Sequence, residues 1–256
     1  MCDTCGCENN DNVKIYKPGE EHGHYHSHDS TVPHHHHNSE HSHREVSVEK
    51  DILSKNNLLA ERNRGYFEAL GIFAINMVSS PGSGKTTIIE RTIAEMDGQL
   101  DFYIIEGDQQ TANDSERIQK AGGKAIQVNT GVGCHLNADM VNKAAKQLEP
   151  GQNSILIIEN VGNLVCPSMF DLGEQKRVAI FSVTEGDDKP EKYPTIFHTS
   201  DVCIINKTDL LPYVEFDVEK AKRVAKQLNT EMVFFEVSAK TGEGMDKWYE
   251  WLKLNS

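Results

Sequence analysis

The sequence lacks the features that mark several large classes of protein. No apolar run approaches the ~20 residues of a membrane-spanning helix, so we expect no membrane segment. No basic region followed by an apolar stretch stands at the N-terminus, so we expect no secretory signal. The formal net charge is −13, which disfavours nucleic acid and anionic membrane surfaces as partners.

Large apolar side chains are scarce near the N-terminus. Residues 8–45 contain few of them, and ten of the twelve His lie between His22 and His43. Because such a segment cannot bury enough apolar surface to fold, we expect residues 1–45 to be a disordered Cys/His-rich metal-binding tail. Residues 46–256 are long enough to form one sizeable domain.

From residue 72 onward, short apolar runs alternate with helical patterns. This alternation predicts an α/β fold with a mostly parallel sheet flanked by helices on both faces, in which ligands bind at the carboxyl ends of strands. We find no internal repeat. The predicted strands are Ile72–Val78, Phe102–Glu106, Lys124–Asn129, Ser154–Glu159, Val178–Val183, Val202–Ile205 and Val233–Val237. The predicted helices include Glu45–Leu70, Thr86–Met96, Asn113–Ala121, Ala138–Leu148 and Val218–Leu228.

A phosphate-binding loop follows the first of these strands. Its glycines let the backbone curl round a phosphate, Lys85 supplies a cation for the β- and γ-phosphates, and Thr86 offers a hydroxyl to Mg²⁺. Ser79 stands where such loops usually begin with glycine. A simple glycine turn between strand and helix is the alternative interpretation. The predicted phosphate-binding residues are Gly82, Ser83, Gly84, Lys85, Thr86 and Thr87.

Acidic residues at two other strand ends are candidates for the Mg²⁺ and γ-phosphate side of the site. We expect Asp108 to lie on the Mg²⁺ side and Glu159 with Gly162 to sense the γ-phosphate. Alternatively, Glu106 and Glu159 simply end strands at the solvent edge. The predicted catalytic set is Lys85, Thr86, Asp108, Glu159 and Gly162. No residue stands out as a general base, which indicates slow hydrolysis.

A guanine-reading loop, Asn206-Lys207-Thr208-Asp209, follows another predicted strand. The Asp209 carboxylate can accept hydrogen bonds from guanine N1–H and N2–H₂, which adenine does not present. Asn206 and the Lys207 stem would support the base. Ser238-Ala239-Lys240 follows the last predicted strand, where the Ala239 N–H could donate to guanine O6. Together with the phosphate loop, this pattern predicts binding of GTP and GDP.

Three thiols stand close together at the start of the chain, at Cys2, Cys5 and Cys7. Such thiolates select Zn²⁺, Cu⁺ or Ni²⁺, and the compact set suits square-planar Ni²⁺. Half of a structural zinc site is the alternative, although no second Cys pair lies nearby. Exposed thiols of this kind indicate a reducing compartment, so we expect a cytoplasmic protein. The irregular spacing of the tail His favours loose ion binding over an affinity tag.

A second set of soft ligands lies within the predicted domain. Cys134 and His135 stand in a Gly-rich loop, and Cys166 follows the Glu159–Gly162 segment that should respond to the γ-phosphate. Each residue alone could be an ordinary buried Cys or loop His. Their positions predict a metal site that responds to the nucleotide state. Cys203, within an apolar strand, is interpreted as structural.

With these motifs placed, the whole chain resembles the HypB family, GTPases that support nickel insertion into [NiFe] hydrogenase. The resemblance rests on Cys-x-x-Cys-Gly-Cys, the His-rich tail, Ser-Pro-Gly-Ser-Gly-Lys-Thr-Thr, Gly-Cys-His-Leu, Glu-Asn-Val-Gly-Asn-Leu-Val-Cys-Pro and Asn-Lys-Thr-Asp. It implies a P-loop fold of the dimerising SIMIBI class and a slow GTPase that forms a GTP-promoted homodimer. It also implies a HypA-type nickel protein and the hydrogenase large subunit as partners.

The resemblance further implies metal roles for specific residues. Cys134, His135 and Cys166 would form a Ni²⁺/Zn²⁺ site at the dimer interface, and the three tail Cys would bind nickel. Asp139 and Lys143 stand where some members carry further His, which disfavours a dinuclear site. Lys192 resembles a lysine that reaches the partner's nucleotide; a solvated surface lysine is the alternative.

Two other functions remain as alternatives. One is a GTPase of a sister family that serves urease or a B12-dependent enzyme, which the Cys-Gly-Cys tail and the Gly-Cys-His loop disfavour. The other is nickel storage by the tail, with an incidental GTPase fold.

Overall fold

A central sheet with helices on both faces forms the domain. The computed structural model describes residues 14–16, 41–108, 113–131 and 133–256. Seven strands run parallel, and a short strand from the N-terminal tail is antiparallel at one edge, giving the order β1-β4-β3-β5-β2-β6-β7-β8. The strands are β1 (Lys14–Tyr16), β2 (Phe73–Ser79), β3 (Phe102–Asp108), β4 (Lys124–Asn129), β5 (Ile155–Glu159), β6 (Lys176–Ser182), β7 (Val202–Asn206) and β8 (Val233–Glu236).

The described helices are α1 (His41–Ala69), α2 (Lys85–Glu95), α3 (Asn113–Lys120), α4 (Ala138–Leu148), α5 (Lys189–Lys192), α6 (Pro194–His198), α7 (Val218–Leu228) and α8 (Met245–Asn255). Side-chain caps set two of their starts, because Asn137 accepts from the Met140 N–H and Asp217 accepts from the Lys220 N–H. Short 3₁₀ helices cover Cys166–Met169, Val183–Glu185 and Thr208–Tyr213.

Alternate residues of the buried strands supply two separate cores, as strand geometry requires. In β2, Ile75 and Met77 pack with α2, α3 and α8 on one face, where Trp248 is fully buried. Ala74 packs on the opposite face, with α1 and α4. Helices α6 and α7 cover that same face over β6 and β7. All seven residues of β2 are buried. Because β2 lies between β5 and β6, its carboxyl end stands near the middle of the sheet edge.

The predicted fold class is confirmed, and all seven predicted strands and five predicted helices are present. Helices α4 and α7 have the predicted bounds. Helix α8 was not predicted, although Met245, Trp248 and Leu252 recur at helical spacing and are fully buried. Within the predicted tail, Lys14–Tyr16 pairs with β4 and α1 begins at His41. The remaining tail residues, including Cys2, Cys5 and Cys7, lie outside the described residues.

Candidate nucleotide and metal site

The phosphate-binding loop joins the end of the central strand β2 to the start of α2. Gly82 and Gly84 have φ values of 75° and 95°, in the left-handed region that glycine adopts without strain. Helix α2 begins at Lys85, so its unpaired N–H groups and positive dipole end face the same loop. This arrangement is suited to an anionic phosphate group.

The predicted guanine-reading loop lies directly on the phosphate-binding loop. Asn206 Nδ2 donates to the Ser83 carbonyl at 2.8 Å, and Lys207 Nζ donates to the Gly82 carbonyl at 2.7 Å. A Cβ atom at Gly84 would overlap the Asn206 amide, so glycine is needed for this close approach. The two motifs therefore form one continuous surface.

The carboxylate of Asp209 has a fixed orientation. Its Oδ1 accepts a 2.6 Å hydrogen bond from Ser238 Oγ, which in turn accepts from the Thr241 N–H at 3.1 Å. The Ala239 N–H, predicted to donate to guanine O6, donates instead to Asn206 Oδ1 at 3.1 Å. Its role toward guanine stays a prediction. Lys240 lies beside them and its carbonyl accepts from Arg91.

Glu159 ends β5 and is buried against the phosphate-binding loop. Its Oε1 accepts from Thr86 Oγ1 at 2.7 Å and pairs with Lys85 Nζ at 3.3 Å. Its Oε2 is buried and has no hydrogen-bond partner among the described residues. A buried carboxylate oxygen in this state needs a cation or a water molecule to stabilise it.

Three acidic side chains share this edge of the sheet. Glu106 of β3 lies directly opposite Glu159 in the register, and Asp108 ends β3 two residues further on. Carboxylates together with the Thr86 hydroxyl are the hard oxygen ligands that Mg²⁺ prefers. The types of residue present therefore fit a magnesium ion, and the position of Asp108 on the Mg²⁺ side stays a prediction.

Gly162 is in close contact with the phosphate-binding loop. A Cβ atom at this position would lie 3.2 Å from Pro81 Cα, which is tighter than ordinary packing. A side chain here would force Pro81 to shift by a few tenths of an ångström, so glycine lets the segment that follows Glu159 lie directly against the phosphate-binding loop.

The domain metal ligands predicted from sequence come together in the structure. The ligand atoms of Cys134, His135 and Cys166 all lie within 4.8 Å of one another. Cys134 Sγ is 3.6 Å from His135 Nδ1, and the His135 ring stacks on Phe170 with centroids 4.0 Å apart. Burial lowers the pKa of His135 to about 4, so the ring is neutral at pH 7 and can bind a metal. Two thiols and one imidazole suit a soft or borderline ion such as Zn²⁺ or Ni²⁺.

A buried ion pair positions the Cys166 segment. Arg177 donates to the carbonyls of Ser168 and Phe170 and pairs with Glu174 at 2.7 Å. Burial opposes ionisation of Glu174, but the Arg177 charge and the Leu172 N–H outweigh it and hold the pKa of this carboxyl below its ordinary value. The pair thus holds the segment that follows Cys166, one of the three residues of the metal cluster (Cys134, His135 and Cys166).

Two asparagines of α1 connect the two ligand-bearing segments. Asn56 accepts from the Ala138 N–H and donates to the Asp171 carbonyl, at 2.9 and 2.8 Å. Asn63 donates to the carbonyls of Ala138 and Leu172, at 2.8 and 3.0 Å. Sequence reasoning missed both residues, since a polar residue on an otherwise amphipathic helix carries no signal of its partner.

Other residues singled out in the sequence have ordinary surroundings. Lys143 pairs with Asp139 at 2.7 Å, one helical turn apart. Lys192 is exposed and pairs with Asp188 at 2.5 Å, whereas Lys189 contacts Ser80 Oγ at 3.0 Å.

Cys203 is fully buried in β7, and burial raises the pKa of its thiol far above the ordinary value, as is typical of a structural Cys. None of the described helices is both long and apolar enough to cross a membrane.

Comparisons with known proteins agree with this geometry. A family model described as CobW/HypB/UreG, nucleotide-binding domain, matches residues 73–236. The chain is 54% identical over 210 residues to the hydrogenase maturation factor HypB of Escherichia coli (strain K12), a match that covers 82% of this chain and 72% of that protein. The solved structure of HypB from Archaeoglobus fulgidus has a TM-score of 0.74 and 43% identity, covering 78% of this chain and 98% of that one. HypB from Helicobacter pylori, solved in complex with nickel, has a TM-score of 0.75 and 38% identity, covering 78% and 94%.

Proposed function

Since the chain belongs to the CobW/HypB/UreG family and is a member of its HypB group of hydrogenase maturation factors, we propose that it is a GTP-hydrolysing nickel metallochaperone. In this role it couples the bound nucleotide to metal binding and release during maturation of [NiFe] hydrogenase. The family model describes residues 73–236 as a nucleotide-binding domain. The choice of GTP, its hydrolysis and the coupling to nickel are the proposed parts.

One observation carries the proposal: the Cys134, His135 and Cys166 cluster lies on segments that contact the nucleotide site. Cys166 follows Gly162, which lies against Pro81 of the phosphate-binding loop. The relative from Helicobacter pylori was solved in complex with nickel, which supports Ni²⁺ as the ion that we assign to this cluster. The same ligands accept Zn²⁺, which prefers a tetrahedral set of Cys and His.

Each part of the nucleotide site has an assigned role. The loop from Gly82 to Thr87 binds the phosphates, and Asp209 and Asn206 recognise guanine. Bound Mg²⁺ would neutralise the charge that develops on the phosphates. Thr86 and Asp108 would hold that ion. Glu159 would orient the attacking water, and the Gly162 N–H would donate to the γ-phosphate.

Lys85 and Thr86 both contact Glu159 in the structure, and both have roles toward the nucleotide. When Lys85 turns to the phosphates and Thr86 to Mg²⁺, Glu159 loses both partners and its segment rearranges. We assign to this rearrangement the pairing of two subunits and the setting of the metal geometry. Hydrolysis would then reverse it and release Ni²⁺.

The family membership supports our proposal for the client and partners. We assign a HypA-type nickel protein and the [NiFe] hydrogenase large subunit as partners, and a GTP-promoted homodimer as the active form. The reducing conditions that exposed thiols need support a cytoplasmic location. The tail thiols Cys2, Cys5 and Cys7 would bind nickel, and its His would store it. The Cys-Gly-Cys tail and the Gly-Cys-His loop favour hydrogenase over urease as the client.

The test is the Ni²⁺ affinity of the cluster in the full chain with Cys2, Cys5 and Cys7 replaced by Ser. The S→Ni charge-transfer absorption reports it, because neither the tail thiols nor the tail His then contribute to that band. The affinity is measured with GDP and then with a non-hydrolysable GTP analogue bound. We expect at least a tenfold difference, about 1.4 kcal/mol of coupling. Equal affinities in the two states would overturn nucleotide control of this cluster. Pull-down of urease subunits in place of hydrogenase subunits would overturn the assignment of hydrogenase as the client.

A further inference from the structure

Asn160 lies between the nucleotide site and the metal cluster. It follows Glu159 and precedes the Val161–Gly162 segment that lies on the phosphate-binding loop, and it is 1% exposed. Its backbone N–H donates to the Met77 carbonyl at 3.0 Å, which anchors its main chain to the central strand β2. The groups of this residue that remain to respond to the nucleotide are therefore its side chain and the peptide units that follow it.

The side-chain oxygen of Asn160 is shared between the two sites. Asn160 Oδ1 accepts from the Val161 N–H at 3.0 Å and from the Leu136 N–H at 3.1 Å. Val161 belongs to the segment that approaches the γ-phosphate. Leu136 directly follows the metal ligand His135. One oxygen atom thus joins the backbone of the nucleotide segment to the backbone of the metal loop.

The amide nitrogen of the same side chain has a fixed partner. Asn160 Nδ2 donates to Asn76 Oδ1 at 3.3 Å, and Asn76 Nδ2 donates to Glu174 Oε1 at 3.1 Å. Through Arg177, this chain of hydrogen bonds ends at the Ser168 and Phe170 carbonyls beside Cys166. Both ligand-bearing segments are therefore connected to the Asn160 carboxamide.

We infer that Asn160 is a positioning residue that transmits the nucleotide state to the metal cluster through its shared Oδ1 atom. When Gly162 turns toward a γ-phosphate, the Val161 N–H turns with it. Oδ1 follows Val161 and weakens its bond to Leu136. The hydrogen bond that holds the His135 loop therefore changes with the nucleotide.

This inference rests on the proposed coupling of nucleotide and metal, and it names the residue responsible. A contact between two sites shows a path, but only a change in coupling energy shows that the path is used. The relevant quantity is the ratio of Ni²⁺ affinities in the two nucleotide states, rather than either affinity alone. A residue that only stabilises the fold would change both affinities and leave their ratio unaltered.

The variants are chosen to separate these roles. Asn160→Ala removes the shared acceptor. Asn160→Asp keeps an oxygen toward both N–H groups, but it replaces the donor to Asn76 Oδ1 by a second acceptor and adds a negative charge. The matched control is Asn63→Ala, which also removes a buried carboxamide bonded to the metal loop region but has no contact with the Glu159–Gly162 segment.

The experiment follows Ni²⁺ binding by the S→Ni charge-transfer absorption of the cluster, in the full chain with the three tail Cys replaced by Ser, in the GDP state and with a non-hydrolysable GTP analogue. In the parent protein we expect a ratio of at least ten. Asn160→Ala should bring the ratio close to one, whereas Asn160→Asp and Asn63→Ala should keep the parent ratio. The S→Ni charge-transfer absorption checks that the ligand set is unchanged.

The outcomes distinguish the inference from the proposed function. A parent ratio of one would overturn both. A parent ratio of ten that Asn160→Ala retains would overturn the role of Asn160 alone. Loss of the ratio in Asn63→Ala as well would show a general effect of destabilisation and would also overturn it. Hydrogen exchange of the Leu136 amide in the parent protein gives a measurement independent of the variants, since equal protection in both nucleotide states would contradict the inference.

Discussion

Thr86 Oγ1 donates a 2.7 Å hydrogen bond to Glu159 Oε1, which joins the start of α2 to the end of β5. The same oxygen pairs with Lys85 Nζ, while Oε2 is buried without a hydrogen-bond partner among the described residues. Two residues assigned to the nucleotide therefore share Glu159 as a partner. The first prediction follows from this arrangement.

Glu159→Gln should slow GTP hydrolysis and leave GDP affinity little changed. The amide is neutral and cannot orient a water molecule beside Mg²⁺ as a carboxylate does, and misplacing the attacking group costs about 10²-fold in rate. Single-turnover phosphate release at saturating GTP measures the effect. Glu219→Gln, an exposed carboxylate on α7, is the control. Full activity of Glu159→Gln would rule out a role of Glu159 in orienting the attacking water.

Asp209→Asn should weaken GTP binding and improve binding of xanthosine triphosphate. The carboxylate accepts two hydrogen bonds from guanine, whereas the amide of Asn presents one donor, which matches the C2 carbonyl of xanthine. Unpaired polar groups in such a site cost about 10⁴- to 10⁵-fold in discrimination. Competition against a fluorescent GDP analogue measures both affinities. Ser238→Ala, which frees the Asp209 carboxylate from its 2.6 Å partner, should give a smaller loss. Unaltered preference for GTP in Asp209→Asn would contradict the guanine assignment.

Cys166→Ala should lower Ni²⁺ and Zn²⁺ affinity of the domain by at least about 100-fold, because even loss of a supporting contact costs 10–100-fold. The control is Cys203→Ala, since that thiol is fully buried in β7 and is not part of the cluster. Titration of the chain with the tail Cys replaced gives both affinities. Equal losses in the two variants would mean that the cluster does not bind the metal.

The metal-free protein should lose stability as the pH falls from about 6.5 to about 4. Burial lowers the pKa of His135 in the folded state to about 4, so the unfolded chain binds more protons in this window. By linkage, the free energy of unfolding then rises with pH, by about 3 kcal/mol at most across the window. Urea denaturation at several pH values measures the slope. His135→Gln should flatten this dependence of stability on pH. A slope that persists in this variant would contradict the assignment of the effect to the lowered pKa of His135.

Arg177→Met should destabilise the fold by about 3–5 kcal/mol, because it leaves the buried Glu174 carboxylate without its cation. It also removes the donors to the Ser168 and Phe170 carbonyls. The neighbouring variant Lys176→Met is the control, since its pair with Asp201 is partly exposed and should contribute about 0–1 kcal/mol. Chemical denaturation compares the two, and similar losses would contradict the importance of the buried pair.

Several features of this protein were determined by short stretches of sequence alone. The phosphate-binding loop and the Asn206–Asp209 loop each depend on the backbone conformation of a few contiguous residues, so their sequence is sufficient to identify them. The bounds of α4 and α7 follow from the Asn137 and Asp217 caps and from the apolar spacing behind them. The strand-helix alternation predicted the parallel sheet in the same way.

Other features were decided only by the tertiary structure, because they depend on which strands become neighbours. Placing β5 between β3 and β2 sets Glu159 opposite Glu106 and brings Cys166 to the Cys134–His135 loop. The sequence places these residues at strand ends but contains no distance between them. The shared oxygen of Asn160 and the asparagines of α1 were likewise invisible in sequence, because a buried polar side chain is defined by partners far away along the chain. Local propensity thus determined the elements and the nucleotide motifs, and the order of strands in the sheet determined how those motifs meet the metal ligands.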